Sequence, residues 1–476
     1  MKRNLILFVS FFVFGAVQAQ EKWDLRKCVE YALNNNISIR QSDIQAQIQS
    51  LTYKESKFSQ IPSLNFGTSA GVNTGRSIDR TTNQFTTESI FYNGFSLQSN
   101  VDIFNWFSKK NGIAGNRLQA EAAVASVQKL KDDISLNVAA TYLQALLAKE
   151  QVNLSRLQIE QTLSQIDNTE KLVNAGSLPE LNLAELQSQL AQDSLTLVTA
   201  IGTEVKSLLL LKATLNIDAG TAFDITTPPV EKIPVDPIAE LQPEAVYQLA
   251  LVNLPQQRVN TLKLQSARKF AEAAKGNLYP SISMGGSIQT NYSNLRNQYR
   301  VTGVNFIKND TIGLVQGSNT PVIAPNYQVA YDFFSKQYGR QISDNLSNNV
   351  SINLSVPIFN GRSARTNLEK QRLNVKNLAL QQELDNRNLK QDIYNAYTDA
   401  ITALQKFNAA DKAVAAAEKA LNYSRKRYEV GLLNSIDLIT NQNNLFRANI
   451  NKLSARFEYV FKMKVLEFYK GQGIKL

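Results

Sequence analysis

The sequence predicts a mainly α-helical fold with a minority of transmembrane β-strands and one structural unit present twice. Three observations predict it. Long proline-free stretches step their apolar residues by threes and fours, short stretches alternate with period two, and segments of the first half recur in order in the second. The 476 residues are 43% hydrophobic and 19% charged, ample for a large core and too polar for a bundle of membrane helices.

Lys2 and Arg3 precede the apolar run NLILFVSFFVFGAV, and Val17 and Ala19 supply the modest side chains that a signal peptidase requires. Residues 1–19 therefore read as a cleaved secretory signal peptide. No Cys follows the cut, which argues against a lipid anchor there, and no later segment offers about 18 consecutive apolar residues. The mature chain is expected to be exported without a spanning helix. Losing Lys2 and Arg3 reduces the 51 basic residues to 49, against 40 acidic ones, a net of +9. Both signs are interspersed along the helices, as on solvated faces, and no concentrated basic patch points to nucleic acid. The single Cys28 excludes an intramolecular disulfide and reads as a small buried hydrophobe; the absence of His removes the commonest general base and metal ligand.

The first structural repeat spans 20–220. Its first helix, about residues 24–58, ends before Pro62. A β-hairpin follows over 62–104: SLNFGTSAGVNTG sets Leu64, Phe66, Thr68, Ala70 and Val72 on one face, and FSLQSNVDIF alternates on the return. A long helix (108–174) and a return helix (180–215) complete the unit. A linker over 221–243 with five prolines is expected to lie extended around the outside of the helices. The second repeat, 244–476, has a helix, β segments at 280–294 and 347–359, a long helix (362–430) and a return helix (434–470). Between its strands, 295–345 reads as an irregular surface insertion that could hold a hairpin.

Matching positions tie the halves together. Ala32/Ala250, Pro62/Pro280 and Gly67/Gly285 share an offset of 218, while Phe104/Phe359, Tyr142/Tyr397 and Gly176/Gly431 share one of 255. In the second long helix Leu389, Ile393, Ala396, Ala400, Leu404, Phe407, Ala410, Val414, Ala417 and Leu421 form a coiled-coil-like seam. Sixty-odd residues at 1.5 Å rise give a rod of roughly 100 Å. Gly176 and Gly431 sit where each long helix stops, so both sites are expected to be tips of antiparallel helical hairpins. Asn434 or Ser435 can cap the second return helix, and Pro179 suits the first turn of the other.

Four strands cannot close a barrel, and an open edge in lipid leaves unpaired backbone groups costing several kcal/mol each. About eight strands is the practical minimum. The chain must therefore oligomerise, a dimer giving eight strands and a trimer twelve.

The signal peptide, the duplicated helix–strand–strand–helix–helix unit, Pro62 and Pro280, VPIFNG (356–361) and VGLLNSIDL (430–438) resemble the TolC family of outer membrane efflux proteins over essentially the whole mature chain. Each motif is weak alone; their order and spacing in two copies are specific. The resemblance implies a homotrimer with a 12-strand barrel, four strands per chain, in outer membrane lipid, continued by a 12-helix tunnel through the periplasm. It implies the exit duct of a tripartite efflux or type I secretion system, docking a periplasmic adaptor and an inner-membrane transporter. Carried over by residue, the docking tips are Val430, Gly431, Leu432 and Leu433, with Ala175, Gly176, Ser177 and Leu178 in the other copy. The family often places an acidic ring just past the second tip. Asp437 resembles its first member, and where a second is expected this chain has Thr440; the ring is weaker, or Glu185, the repeat equivalent of Thr440, completes it. Three Asp437 side chains at a threefold axis would attract cations, whereas the simpler role is to complement the start of its own helix.

No catalytic site, metal site or cofactor is expected. GTSAG (67–71) matches the G-x-S-x-G pattern of serine hydrolases, but it alternates as a strand and no His can take the Ser69 proton. The rival reading is a structural or adhesive coiled-coil protein anchored by a barrel, which would conduct no ions and would have no need of two similar hairpin ends. A plain diffusion porin does not carry such long helices.

Overall fold

The computed structural model describes residues 22–78, 83, 85–87, 89–226, 237–294 and 298–471. The expected signal peptide and residues 227–236 of the linker lie outside them. By contact the chain divides into two compact units, each collecting segments from both halves: Met1–Thr52, Asn116–Ala267 and Asn374–Leu476 form one, Tyr53–Gly115 and Arg268–Leu373 the other.

The first unit is helical. Where one helix was expected over 24–58 there are two, α1 (Leu25–Asn35) and α2 (Ile37–Phe58). The break is a capping event: Asn36 is extended, with φ −65° and ψ 126°, and its Oδ1 accepts from the backbone N–H of Ser38 at 2.9 Å and of Ile39 at 3.4 Å. In the second half α5 (Pro243–Asn253) and α6 (Pro255–Gly276) are parted at Leu254, because Pro255 has no N–H to continue a helix and suits a first turn. Two 67-residue helices, α3 (Ser108–Asn174) and α8 (Ser363–Glu429), are each followed by a return helix, α4 (Glu180–Leu215) and α9 (Ser435–Tyr469). The ten seam residues expected on α8 are all buried or half-buried.

The two largest cores of this unit join its helices. Cys28 and Ala32 of α1, Tyr142 and Leu146 of α3, Leu211 and Leu215 of α4 and Phe457 of α9 form one. There burial pushes the Cys28 thiol up to about 12, so it stays protonated and unreactive. The second joins Val246 and Ala250 of α5 to Ile393, Ala396 and Ala400 of α8 and Met463 and Leu466 of α9. The described parts of the linker are largely exposed or half-buried and are pinned at two points. Ile225 is fully buried in the first core, tied by a parallel bridge to Trp23, and Leu241 is fully buried in the second. Lys149 bonds Asp224 at 2.6 Å, and although burial opposes ionisation, its hydrogen bonds from Lys149 and Ile225 hold the Asp224 carboxyl below its usual value.

One helix among the described residues, α4, is long and apolar enough by composition to cross a membrane. Its apolar residues do not form one unbroken run: Leu195, Val198, Ile201, Val205 and Leu209 step by threes and fours and are exposed in the single chain.

The second unit is built on an antiparallel four-stranded sheet of β1 (Ser63–Asn73), β4 (Ile90–Phe104), β5 (Ser281–Ser293) and β8 (Ser347–Ser355), in the order β1-β4-β5-β8. Two short strands, β2 (Ser77–Ile78) and β3 (Phe85–Thr86), pair between the first two. The strand expected to reach 359 stops at Ser355, where Pro357 cannot donate to a ladder. Residues 298–344 are regular rather than irregular: β6 (Gln298–Leu314) and β7 (Pro321–Phe334) form a long hairpin, followed by the short helix α7 (Tyr338–Asp344).

Candidate functional site

Partners across an antiparallel ladder share a face, so the register sorts the sheet into two unlike surfaces. Leu64, Phe66 and Val72 of β1 stand with Phe95, Leu97 and Val101 of β4, Met284 and Ile288 of β5, and Val350, Ile352 and Leu354 of β8. The side chains of β1, β5 and β8 in this set are open, Val350 at 72% and Ile352 at 70%, while Phe95, Leu97 and Val101 of the central β4 are half-buried. The other face carries Ser63, Asn65, Ser69, Ser96, Gln98, Asn100, Ser287, Gln289, Asn291, Asn349 and Ser351. Its one charge from these four strands, Asp102, is paired with Lys109 at 2.9 Å, and Lys109 also donates to the Ser59 carbonyl at 2.6 Å. At Gly71 a Cβ would meet the Tyr92 hydroxyl at 2.6 Å, so the glycine lets that ring lie flat on the polar face. Phe104, Trp106, Phe107 and Tyr279 cluster where β4 meets α3, with ring centroids 4.9–5.7 Å apart. An apolar face, a neutral polar face and an aromatic end are what a strand set needs to stand between lipid and a water-filled lumen.

The hairpin tips lie in the helical unit. Gly176 has φ +70° and Gly431 φ +73°, and the hydrogen bonds around them correspond. Gly176 N–H donates to Val173 O and Ser177 N–H to Leu172 O; Gly431 N–H donates to Tyr428 O and Leu432 N–H to Arg427 O. This is the Schellman closure, which satisfies the last carbonyls of a helix when the next residue adopts positive φ. Ala175, Ser177, Val430 and Leu432 are exposed around the glycines. Leu178 and Leu433 turn inward, packing with Leu421, Tyr428, Leu438 and Leu445.

Asn434 caps α9, its Oδ1 accepting from Asp437 N–H at 2.7 Å, while Pro179 stands just before α4 without a capping side chain. Asp437 and Thr440 are exposed on α9, and Thr440 Oγ1 donates to the Ile436 carbonyl at 2.8 Å. Glu185 is half-buried and turned to the other hairpin, where it accepts from the buried Ser435 Oγ.

Sequence reasoning passed over the polar seam beside the tips. Ser155, Gln158, Thr162, Gln165 and Thr169 recur at alternating steps of three and four on α3, and all are buried. Thr162 Oγ1 donates to Asp193 Oδ2 at 2.6 Å and accepts from Gln442 Nε2 at 3.0 Å; Thr169 and Tyr428 hydroxyls meet at 3.1 Å. Polar residues at seam spacing were the available signal: this end of the bundle interlocks by hydrogen bonds where Val138, Tyr142 and Leu146 interlock by apolar contact. Among the described residues no group of His, Cys, Asp and Glu is arranged to hold a metal ion.

The outer membrane efflux protein family model matches residues 28–216 and 246–460. No curated protein sequence matches significantly. Among solved structures, the channel CusC superposes with a TM-score of 0.74 at 16% identity, covering 95% of this chain and 93% of that one. The outer membrane protein VceC of Vibrio cholerae gives 0.72 at 14%, covering 95% and 97%. The CmeC outer membrane channel of Campylobacter jejuni gives 0.71 at 15%, covering 95% and 86%.

Proposed function

The chain belongs to the outer membrane efflux protein family, and on that premise we propose that three copies close one exit duct. The protein is an outer membrane efflux channel reaching into the periplasm. Four strands from each of three chains make a twelve-stranded barrel, with the apolar face on lipid and the serine, asparagine and glutamine face around the lumen. The carrying observation is the two-faced sheet: within the described residues β1 and β8 each leave one edge without a strand beside it, an arrangement lipid does not tolerate. The exposed row Leu195, Val198, Ile201, Val205 and Leu209 on α4 supports assembly as well, because a neighbouring protomer's helices would cover it. A lumen lined by neutral hydroxyls and amides, its one strand carboxylate Asp102 paired with Lys109, carries polar solutes without sorting them strongly by charge; selection falls to the helical tunnel and the pump.

At the helical end, Val430, Gly431, Leu432 and Leu433, together with Ala175, Gly176, Ser177 and Leu178, form the surface on which a periplasmic adaptor docks, linking the duct to an inner-membrane transporter. Val430 and Leu432 are exposed at 67% and 70%, apolar surface that a docked partner would remove from water. Asp437 forms the constricting acidic ring, with Thr440 on the same exposed stretch; Glu185 ties the two hairpins through Ser435.

Purified protein in mild detergent should have the mass of three chains, and in a planar bilayer it should pass ions. A stable monomer, or a silent bilayer, sinks the duct reading.

A further inference from the structure

The β6–β7 hairpin takes no part in the duct as described, yet it presents an organised surface. Cross-strand pairs Val301↔Tyr331, Val304↔Val329 and Phe306↔Tyr327 share one side of the ribbon, while Arg300↔Asp332, Asn305↔Gln328 and Lys308↔Asn326 share the other. Register shifts between Val301/Gly303, Phe306/Lys308 and Thr311/Gly313 each insert one residue into β6. The chain sequence is spaced to match: Val301, Val304, Phe306, Thr311 and Leu314 return to the same side only because of these bulges. The first and third insertions return Val304, Phe306 and Leu314 to the side of Val301, while the second puts Asn309 and Thr311 there and keeps Lys308 and Asp310 off it. Val304, Phe306, Ile323, Tyr327 and Tyr331 on it are exposed in the chain.

Two observations say what covers it. Fourteen residues of β7 at 3.3 Å rise, two strands wide, offer roughly 450 Å². A strip that long and only two strands wide is shaped to lie along a lipid surface, and the chain tethers it to β5 at one end and, through α7, to β8 at the other. Second, the chain returns from the ribbon on the sheet's apolar side. The Tyr338 ring of α7 sits 4.8 Å from that of Tyr292, and its hydroxyl donates to Asn93 Oδ1 at 2.8 Å. Tyr292 and Asn93 both stand on the apolar face, at the end of the sheet opposite Ser63 and Phe104. Aromatic and branched side chains opposed by charged ones fit an element lying in the polar–apolar boundary of a bilayer.

We propose that the β6–β7 ribbon is a lipid-interface element, lying with its Val304, Phe306, Tyr327 and Tyr331 side on the outer leaflet beside the barrel. This rests on the membrane placement of the sheet proposed above, so the test carries its own control. Full-length protein with Cys28→Ala receives one cysteine at a time: Val304→Cys or Tyr327→Cys on the apolar side, Asn305→Cys or Gln328→Cys on the polar side, and Val350→Cys on the main sheet. Each is labelled with bimane and reconstituted in phosphatidylcholine–phosphatidylglycerol vesicles with brominated acyl chains. Quenching at 304 and 327 should exceed that at 305 and 328 several-fold and approach that at 350. Equal quenching on the two sides, with 350 strongly quenched, overturns the ribbon assignment alone. Interchain disulfides at 304 or 327 without quenching give the face to a neighbouring copy and also overturn it. An unquenched label at 350 sinks the membrane placement, and the ribbon assignment with it.

Discussion

At Gly176 the chain turns between Ala175 and Ser177; at Gly431 it turns between Val430 and Leu432. Both glycines hold positive φ and both close the preceding helix with the same pair of backbone bonds. The flanks differ. The first tip is small and polar and enters α4 through an uncapped Pro179, while the second is apolar, with Ile436 exposed as well, and enters α9 through the Asn434 cap. One glycine determines how the chain turns, and its neighbours determine what the turn can touch. If the second tip is the stronger docking surface, changes there should alter adaptor capture more than the matching changes at the first.

The comparison breaks most visibly at the shared apolar contact beneath both tips. Leu438 is 1% exposed and packs in a cluster drawing Leu178 from one hairpin and Leu433 from the other. Leu438→Ala should cost about 3 kcal/mol locally. Amide hydrogen exchange should then quicken at both tips, around 172–185 and 427–440. Faster exchange at the second tip alone would show that the hairpins do not share a core there.

A smaller effect is expected at the glycines. No heavy atom lies within 4 Å of an added Cβ at either one, so the penalty of Gly176→Ala or Gly431→Ala is backbone strain alone, about 1–2 kcal/mol. The two variants should be equally destabilised, read as equal increases in protease cutting at the tip, but unequally impaired in binding the adaptor. Unequal destabilisation would place a specific contact at one glycine.

Capping separates the tips next. Asn434→Ala removes the acceptor for the Asp437 N–H and should cost about 1 kcal/mol. Pro179→Ala has no side-chain cap to lose and should change stability by less. Comparable losses in thermal melts of the two variants would contradict the capping asymmetry.

How far these features were legible depended on whether a regular period reached the surface of the sequence. β1 was readable because Leu64, Phe66 and Val72 keep one phase throughout. β6 was not, since each bulge moves its apolar residues out of period two, and Pro325 interrupts the cleaner alternation of β7. The break at Leu254 had a visible cause in Pro255; that at Asn36 lay inside a run of asparagines in which any member can cap. At the tips, Gly176 and Gly431 were readable from the helical patterns they interrupt. The direction of Glu185 was not, because an acid between two packed hairpins can face either side, and only the placement of Ser435 decides it.

The smallest structural change expected is at Asp437, and it discriminates between two roles. Its carboxylate lies in the first turn of α9, where a negative charge near the exposed N–H groups contributes about 0.3–1 kcal/mol. A helix-start role alone predicts that Asp437→Ala lowers stability slightly and leaves conduction untouched. In the assembled duct three such carboxylates would face a common axis, holding cations and repelling one another. Their removal should then raise single-channel conductance, or weaken block by a multivalent cation, at nearly unchanged stability. Glu185→Ala, acting on a side chain tied to Ser435, should loosen the pairing of the two hairpins and leave cation block alone. Unaltered conductance and block in Asp437→Ala would confine that residue to its own helix, and the second tip would then differ from the first only in its apolar surface.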